Sequence, residues 1–188
     1  KNLKNIFFKD LGLRKADYVL SIASKNNIET ISRILINTDK IVNIVKPDAI
    51  FILGDTNSSL SSIVAKKKQI PIFHYEAGNR SFDERVPEEA NRRIVDTISD
   101  INLTYSSISR EHLVREGKPS NRVINVGSPM LEVINFYKDK VTNSKILSDL
   151  EISENNYFLV SLHREENINS KNFYKISEIL NSIADKYK

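Results

Sequence analysis

Short runs of β-branched and aromatic residues alternate along this chain with longer stretches in which apolar residues recur at helical spacing. That alternation is typical of βαβ units, whose strands form a parallel sheet. The candidate strands are residues 18–22, 49–53, 70–75, 100–104, 122–126 and 157–161. Most of them are almost continuously apolar, so we expect strands that are buried on both faces of the sheet. The sequence therefore predicts an α/β fold.

The stretches between these runs are the candidate helices, at residues 29–46, 58–68, 87–99, 107–116, 130–139 and 172–186. Residues 139–156 are rich in Lys, Asp, Asn and Ser and have little regular pattern, which favours a connection between two domains. Residues 1–138 then hold five candidate strands, whereas residues 157–188 hold one strand and one helix. The chain begins with lysine and its last helix continues to the end, so we expect part of a longer protein.

Composition argues against several classes of protein. No apolar run approaches the roughly 18 residues of a membrane-spanning helix, so we expect no membrane partner. The net charge is +4, but the lysines are scattered among acids, so we expect no nucleic-acid partner. The chain has no cysteine and no pattern typical of a secretory leader, which favours a cytoplasmic protein.

The familiar cofactor motifs are also missing from the sequence. It has no Gly-x-Gly-x-x-Gly or Walker loop, no Gly-x-Ser-x-Gly elbow and no His-Glu-x-x-His. Three dispersed histidines make a metal site improbable, so we expect neither a metal nor a redox cofactor. The chemistry that remains is acid–base work by carboxylates and imidazole on an anionic substrate.

Polar groups that directly follow strands carry the most weight, because ligands of open α/β sheets bind beyond the carboxyl ends of the strands. Such groups lie at residues 54–56, 74–78, 127–129 and 161–166. Asp55 could face a ligand, or it could help to cap the helix that follows. Glu76 directly follows a buried-looking strand, where an ionised carboxylate needs a partner such as Arg80 or Arg85, or a function.

The helix that begins at Pro87 has two pairs at i,i+4 spacing, Glu88 with Arg92 and Glu89 with Arg93. From spacing alone we favour an ordinary surface helix with two weak ion pairs, each worth about 0.2 to 0.5 kcal/mol. For His163 the residues leave open a ligand contact or a hydrogen bond within a loop. We assign structural roles to His74, in a strand, and to His112, in a helix.

Four motifs, in this order and at about this spacing, resemble the non-hydrolysing UDP-N-acetylglucosamine 2-epimerases. They are Gly54-Asp55-Thr56, His74-Tyr75-Glu76-Ala77-Gly78-Asn79-Arg80, Pro87-Glu88-Glu89-Ala90-Asn91-Arg92 and His163-Arg164-Glu165-Glu166-Asn167. The resemblance implies a glycosyltransferase-B-like architecture with two Rossmann-like domains and the nucleotide sugar between them. Residues 1–138 would be most of the first domain without its opening strand, and residues 157–188 the start of the UDP-binding domain.

The resemblance also implies roles for particular residues. Asp55, Glu76 and Glu88 would be the catalytic carboxylates, Arg92 and Arg80 would bind substrate, and His163 would act on the substrate diphosphate from the second domain. The implied reaction eliminates UDP across C1 and C2 of the sugar and adds it back with the proton on the opposite face of C2. A UDP-sugar substrate, a homodimer and no cofactor are implied as well. This part of the protein alone should be inactive.

The segment between Glu76 and Pro87 departs from the best known enzymes of that family. It is more similar to the branch that acts on a 6-deoxy sugar nucleotide, which leaves the choice of sugar open. Such enzymes supply capsule or lipopolysaccharide synthesis. Two rivals also remain at this point, namely a UDP-sugar glycosyltransferase of the same architecture and a non-catalytic protein that binds nucleotide sugars.

Overall fold

The computed structural model describes residues 6, 8–20, 22, 24, 26–83, 85–162 and 172–187. The chain divides into two compact units, residues 1–133 and 134–188. The first unit contains a parallel sheet with strand order β1-β2-β3-β4, formed by β1 Ile50–Leu53, β2 Ile72–Tyr75, β3 Ile101–Thr104 and β4 Val123–Asn125. The α/β fold with a parallel sheet is confirmed.

Helices alternate with these strands as the sequence predicts. The first unit has α1 Asn27–Val45, a 3-10 turn Asn57–Ser61, α2 Ser62–Lys67, α3 Pro87–Ile98, α4 Ser107–Arg115, a 3-10 turn Ser120–Arg122 and α5 Met130–Phe136, which extends into the second unit. The N-cap of α1 is Asn26, whose side chain accepts hydrogen bonds from the backbone N–H groups of Ile28 and Glu29. In α3, Pro87 takes the first position, where its missing N–H costs nothing.

The second unit contains α6 Lys138–Thr142, α7 Ile146–Asp149 and α8 Asn172–Lys186. The predicted strand at 157–161 is wrong, because these residues have no regular secondary structure and their side chains are exposed. A strand needs a neighbouring strand to complete its backbone hydrogen bonds, and none pairs with 157–161 within the described residues. Across the described residues of both units, no helix has the length and apolar character needed to span a membrane.

The predicted strand at 18–22 is wrong for the same reason. Its described residues, 18–20 and 22, lie outside the sheet, so the described residues up to 138 hold four strands rather than the predicted five. The expectation of burial on both faces is also wrong. Phe51 and Leu53 of β1 are 61% and 62% exposed, because the core lies on the other face, where Ile52 and Ile72 pack with Val95 of α3.

A second core cluster holds the loop after β2 against α4, through Ala77, Leu113 and Val123. Gly78 lies in this loop with φ +78°, a conformation that favours glycine. A Cβ atom at Gly78 would lie 2.2 Å from the carbonyl oxygen of Ser109, so the loop can approach α4 this closely only with glycine.

We expect Gly78→Ala to lower the free energy of unfolding by about 2 to 5 kcal/mol, since backbone strain of about 1 to 2 kcal/mol adds to an overpacking cost of about 1 to 3 kcal/mol. Gly117→Ala is the matched control, because φ there is +90° and nothing lies within 4 Å of the added Cβ. The loss of stability in Gly117→Ala should come from backbone strain alone. Urea unfolding of both variants checks this, and equal losses would contradict the close approach at Gly78.

Candidate active site

The loops after β1 and β2 leave the sheet side by side, because Leu53 pairs with Tyr75 in the parallel register. The N–H of Gly54 continues this pairing with a hydrogen bond of 3.1 Å to the carbonyl of Tyr75. A Cβ atom on Gly54 would lie 3.6 Å from Oε2 of Glu76. The structure therefore brings the Glu76 carboxylate against the loop that carries Asp55.

Asp55 is bound by α3 rather than by the helical turn that follows it. Its Oδ2 atom accepts hydrogen bonds from Nε and Nη2 of Arg92, at 2.9 and 2.5 Å. The N-cap of the next turn is Thr56, and no side chain caps that turn. Of the two roles that the sequence left open for Asp55, capping is the one that the structure does not show.

Glu76 adopts φ +73°, a left-handed conformation that is rare for residues other than glycine and is found at functional sites. Burial raises the pKa of its carboxyl group, and the negative charge of Asp55 raises that pKa further. The positive charge of Arg92 works in the opposite direction, with a smaller effect. Glu76 is thus a carboxyl group whose proton is held more tightly than usual, next to a second carboxylate.

The proposed partners of Glu76 bind elsewhere. Arg80 binds Asp96 and Glu116, and Arg85 binds Asp83. Of the two possibilities that the sequence left open for Glu76, the ion pair with Arg80 or Arg85 is the one that the structure does not show among the described residues. Within the part of the chain that the structure describes, no hydrogen bond or ion pair is found for the Glu76 carboxylate.

Glu89 is buried, not on the surface, so the prediction of an ordinary surface helix is wrong. Its side chain is 2% exposed and accepts hydrogen bonds from the backbone N–H and hydroxyl of Ser81, from Arg92 Nη1 at 2.7 Å and from Arg93 Nε at 3.0 Å. The predicted pair of Glu89 with Arg93 is confirmed. Arg92 is drawn to Glu89 and Asp55, and the predicted pair with Glu88 is absent from the described residues.

Glu88 lies one helical turn before Arg92 and so shares its face of α3. Its side chain is half-buried, and its carboxylate has no hydrogen-bond partner among the described residues. The structure brings together Asp55, Glu76 and Arg92, and it places Glu88 on the helix face that carries Arg92. His163 lies outside the described residues.

Arg80 is held inside the protein. Its side chain is 0% exposed, with Nη1 donating to Asp96 at 2.7 Å and Nη2 donating to Glu116 at 2.5 Å. Burial alone would lower the pKa of Arg80, but its hydrogen bonds to Glu116 and Asp96 outweigh burial and raise that pKa. This placement favours a role for Arg80 in holding the site together, whereas Arg92, 12% exposed, lies nearer to the surface.

Two histidines have the structural positions that the sequence predicts. His74 is fully buried, with Nδ1 2.8 Å from Asp96 Oδ1 and Nε2 3.0 Å from the carbonyl oxygen of Gly54. His112 has Nδ1 3.1 Å from the carbonyl oxygen of Gly78. Over the described residues, no group of three or more His, Asp and Glu side chains is arranged to hold a metal ion.

Sequence reasoning missed the buried roles of Glu89 and Asp96. A signal was present, because Glu89, Arg92 and Asp96 recur at intervals of three and four residues and so share one face of α3. That face also carries the core residue Val95 next to Asp96. That shared face was the available signal, although the spacing of charges on a helix does not by itself show whether they are buried.

Comparison with known proteins gives the family of the chain. The model of the UDP-N-acetylglucosamine 2-epimerase family matches residues 1–188. The chain belongs to this family. A UDP-N-acetylglucosamine 2-epimerase of Methanocaldococcus jannaschii is 35% identical over 175 residues, which are 91% of this chain and 48% of that protein. The chain thus spans about half the length of the curated relatives that it matches.

Solved structures of the family have the same fold. The UDP-N-acetylglucosamine 2-epimerase of Rickettsia bellii superposes with a TM-score of 0.91 at 41% identity, over 100% of this chain and 50% of that one. The M. jannaschii enzyme, solved in complex with UDP-GlcNAc and UDP, superposes with a TM-score of 0.88 at 33% identity, over 97% and 51% of the two chains.

Glu88 and Glu89, which are neighbours on α3, give a matched test of the buried ion pairs that Glu89 makes with Arg92 and Arg93. Glu89→Gln should lower the free energy of unfolding by about 3 kcal/mol, because it leaves Arg92 and Arg93 without their shared charge partner. Glu88→Gln makes the same chemical change without losing a partner, and it should cost less than about 0.5 kcal/mol. Urea unfolding measures the free energy of unfolding of both variants. Equal losses would contradict the buried ion pairs of Glu89.

The same comparison has a pH dependence. Burial alone would raise the pKa of Glu89, but hydrogen bonds from Ser81 and Arg93 and the charge of Arg92 outweigh burial and lower that pKa. A lowered pKa adds stability above the ordinary value of 4.5, and this stability is lost as pH falls through the folded-state pKa. The difference between wild type and Glu89→Gln should therefore shrink on acidification below 4.5.

Proposed function

We propose that the whole protein epimerises a UDP-N-acetylhexosamine at C2, by elimination and re-addition of UDP. The observation that carries this proposal is the meeting of two carboxyl groups, Asp55 and Glu76, at the carboxyl ends of neighbouring strands beside the Arg92 guanidinium. Family membership supports the class of reaction, and a relative solved in complex with UDP-GlcNAc and UDP supports the class of substrate.

In the proposed first half-reaction, a carboxylate removes the hydrogen on C2. The electrons of the C–H bond form the C1–C2 double bond, and the C1–oxygen bond breaks with its electron pair leaving on UDP. The C2 hydrogen is not acidic, so removal needs a positioned base together with neutralisation of the departing diphosphate. UDP then adds back to C1 while a proton arrives on the other face of C2, which requires a second acid–base group on that face.

We propose Asp55 and Glu76 as the two acid–base groups. Asp55 is fixed by two hydrogen bonds from Arg92. Glu76, with its raised pKa and no bonded partner among the described residues, holds its proton more tightly than an ordinary carboxyl group and is suited to take part in proton transfer. We assign Glu88 to the third carboxylate and His163 to the substrate diphosphate, as the resemblance implies. Arg92 lies where its charge can act on both carboxylates.

The choice of sugar lies within the N-acetylhexosamine nucleotides or their 6-deoxy analogues. One curated relative, 34% identical over 186 residues, is a UDP-2,3-diacetamido-2,3-dideoxy-D-glucuronate 2-epimerase of Pseudomonas aeruginosa. Family members therefore act on more than one UDP sugar. We propose a role in the synthesis of cell-surface polysaccharide, with the protein acting as a homodimer.

Solvent deuterium tests the proposal. The whole protein, incubated in D₂O with UDP-N-acetylglucosamine alone, should place deuterium at C2, because removal and return of that hydrogen pass through a group that exchanges with water. Asp55→Asn and Glu76→Gln should each lower exchange at least about a hundredfold, the low end for a lost acid–base group, while UDP binding stays measurable. NMR of the sugar nucleotide reports exchange, and calorimetry reports binding.

Glu111→Gln is the matched control, because Glu111 is 56% exposed and its one ion pair among the described residues is with the surface residue Arg115. It should exchange at the wild-type rate. No exchange at C2 by the wild-type protein with any UDP-N-acetylhexosamine would contradict the proposal. Transfer of the sugar to an acceptor without exchange would favour the glycosyltransferase instead, and UDP-sugar binding without either reaction would favour the non-catalytic alternative.

A further inference from the structure

We propose that His74, through its bond to the Gly54 carbonyl, is the positioning residue that sets where the Asp55 carboxylate lies. This inference rests on the proposed function, in which Asp55 takes part in proton transfer. His74 is 0% exposed, so it acts on the site through its neighbours and not on the substrate.

The ring of His74 is fixed by both of its nitrogens. Nε2 lies 3.0 Å from the carbonyl oxygen of Gly54, and Nδ1 lies 2.8 Å from Oδ1 of Asp96. A carbonyl oxygen can only accept a hydrogen bond, so Nε2 carries a hydrogen and donates it. The second bond, to a carboxylate that is itself buried, stops the ring from turning away.

The backbone of Gly54 is bonded to β2 through both its N–H and its carbonyl group. Its N–H donates to the carbonyl of Tyr75 at 3.1 Å, and its carbonyl accepts from His74. Gly54 has φ +74°, and glycine has access to more backbone conformations than any other residue. Without the imidazole bond, the carbonyl would lose its partner and the peptide that leads into Asp55 could rotate.

Asp96 also holds the loop after β2. Its two oxygens lie 3.3 Å from the backbone N–H of Gly78, just after Glu76, and Oδ2 also accepts from Arg80 at 2.7 Å. Among the described residues, Asp96 from α3 bonds to the ring, Arg80 bonds to Asp96 behind it, and Glu76 in the loop after β2 lies near enough for His74 to influence its pKa. One buried pair thus holds both loops that carry the candidate acid–base groups.

Two substitutions in the whole protein separate the roles of the ring nitrogens. In His74→Gln the side-chain amide reaches the place of Nε2, so it can still donate to the Gly54 carbonyl. In His74→Asn the shorter amide reaches only the place of Nδ1, so it keeps Asp96 and loses Gly54. We expect His74→Asn to lower kcat for C2 exchange at least about tenfold, with KM changed less than about threefold, and His74→Gln to keep most of kcat.

A merely structural role predicts a different pattern, in which kcat follows the free energy of unfolding and not the bond to Gly54. Unfolding is therefore measured for both variants alongside the kinetics. Equal kcat values in the two variants, or a lower kcat in His74→Gln than in His74→Asn, would overturn the proposal.

A second measurement needs no activity. Nε–H of Arg92 donates to Asp55 at 2.9 Å, so its exchange with water, followed by NMR, reports whether Asp55 has moved. Exchange should be slow in wild type and His74→Gln and faster in His74→Asn, and equal exchange in all of them would refute the positioning role. If wild type shows no exchange at C2, the proposed function fails, while this measurement still decides the role of His74.

If neither variant folds, the wild-type protein still gives an answer. Nitrogen-15 NMR of His74 should show a hydrogen on Nε2 at every pH at which the protein is folded, because the Gly54 carbonyl cannot donate. A bare Nε2 in any part of that range would mean that the bond to Gly54 is absent, and the proposal would be wrong.

Discussion

Arg92 joins the loop of Asp55 to the buried acid Glu89, and the rest of the site depends on this bridge. It belongs to a network of alternating charges, in the order Asp55, Arg92, Glu89, Arg93, Glu116, Arg80 and Asp96. Asp96 also bonds to His74, which returns to the carbonyl of Gly54 beside Asp55. A buried charge without a partner costs several kcal/mol, so the buried members Glu89, Arg80 and Asp96 hold their neighbours in place. The network is closed, and it fixes two loops to one helix.

Glu76 stands next to this network without a bonded partner in the described part of the chain. Every acid in the network accepts hydrogen bonds from an arginine, whereas Glu76 has a raised pKa and a left-handed backbone conformation. The left-handed conformation of Glu76 costs free energy, and it persists only because the surrounding structure holds it. The network therefore holds the loops around Glu76, and Glu76 itself remains available for proton transfer.

The sequence predicted the fold wherever a local pattern was sufficient. The apolar runs that became β1 to β4 were recognised from the alternation, and the position of Asp55 and Glu76 followed from the rule that parallel strands end at one edge. Residues 18–22 and 157–161 carry the same local pattern, yet their described residues are not strands, since pairing depends on a neighbour and not on the run itself. Glu89 was misjudged because spacing gives the pairs on a helix but not its burial.

If Asp55, Glu76 and Glu88 carry out the proposed reaction, they must lie around C2 of the bound sugar. A crystal structure of the whole protein with a bound UDP-N-acetylhexosamine would show whether they do. We expect carboxylate oxygens within about 3.5 Å of C2, with groups on both faces of the ring. The proposed roles would be contradicted if C2 lay near none of these carboxylates, or if all of them lay on a single face of the ring.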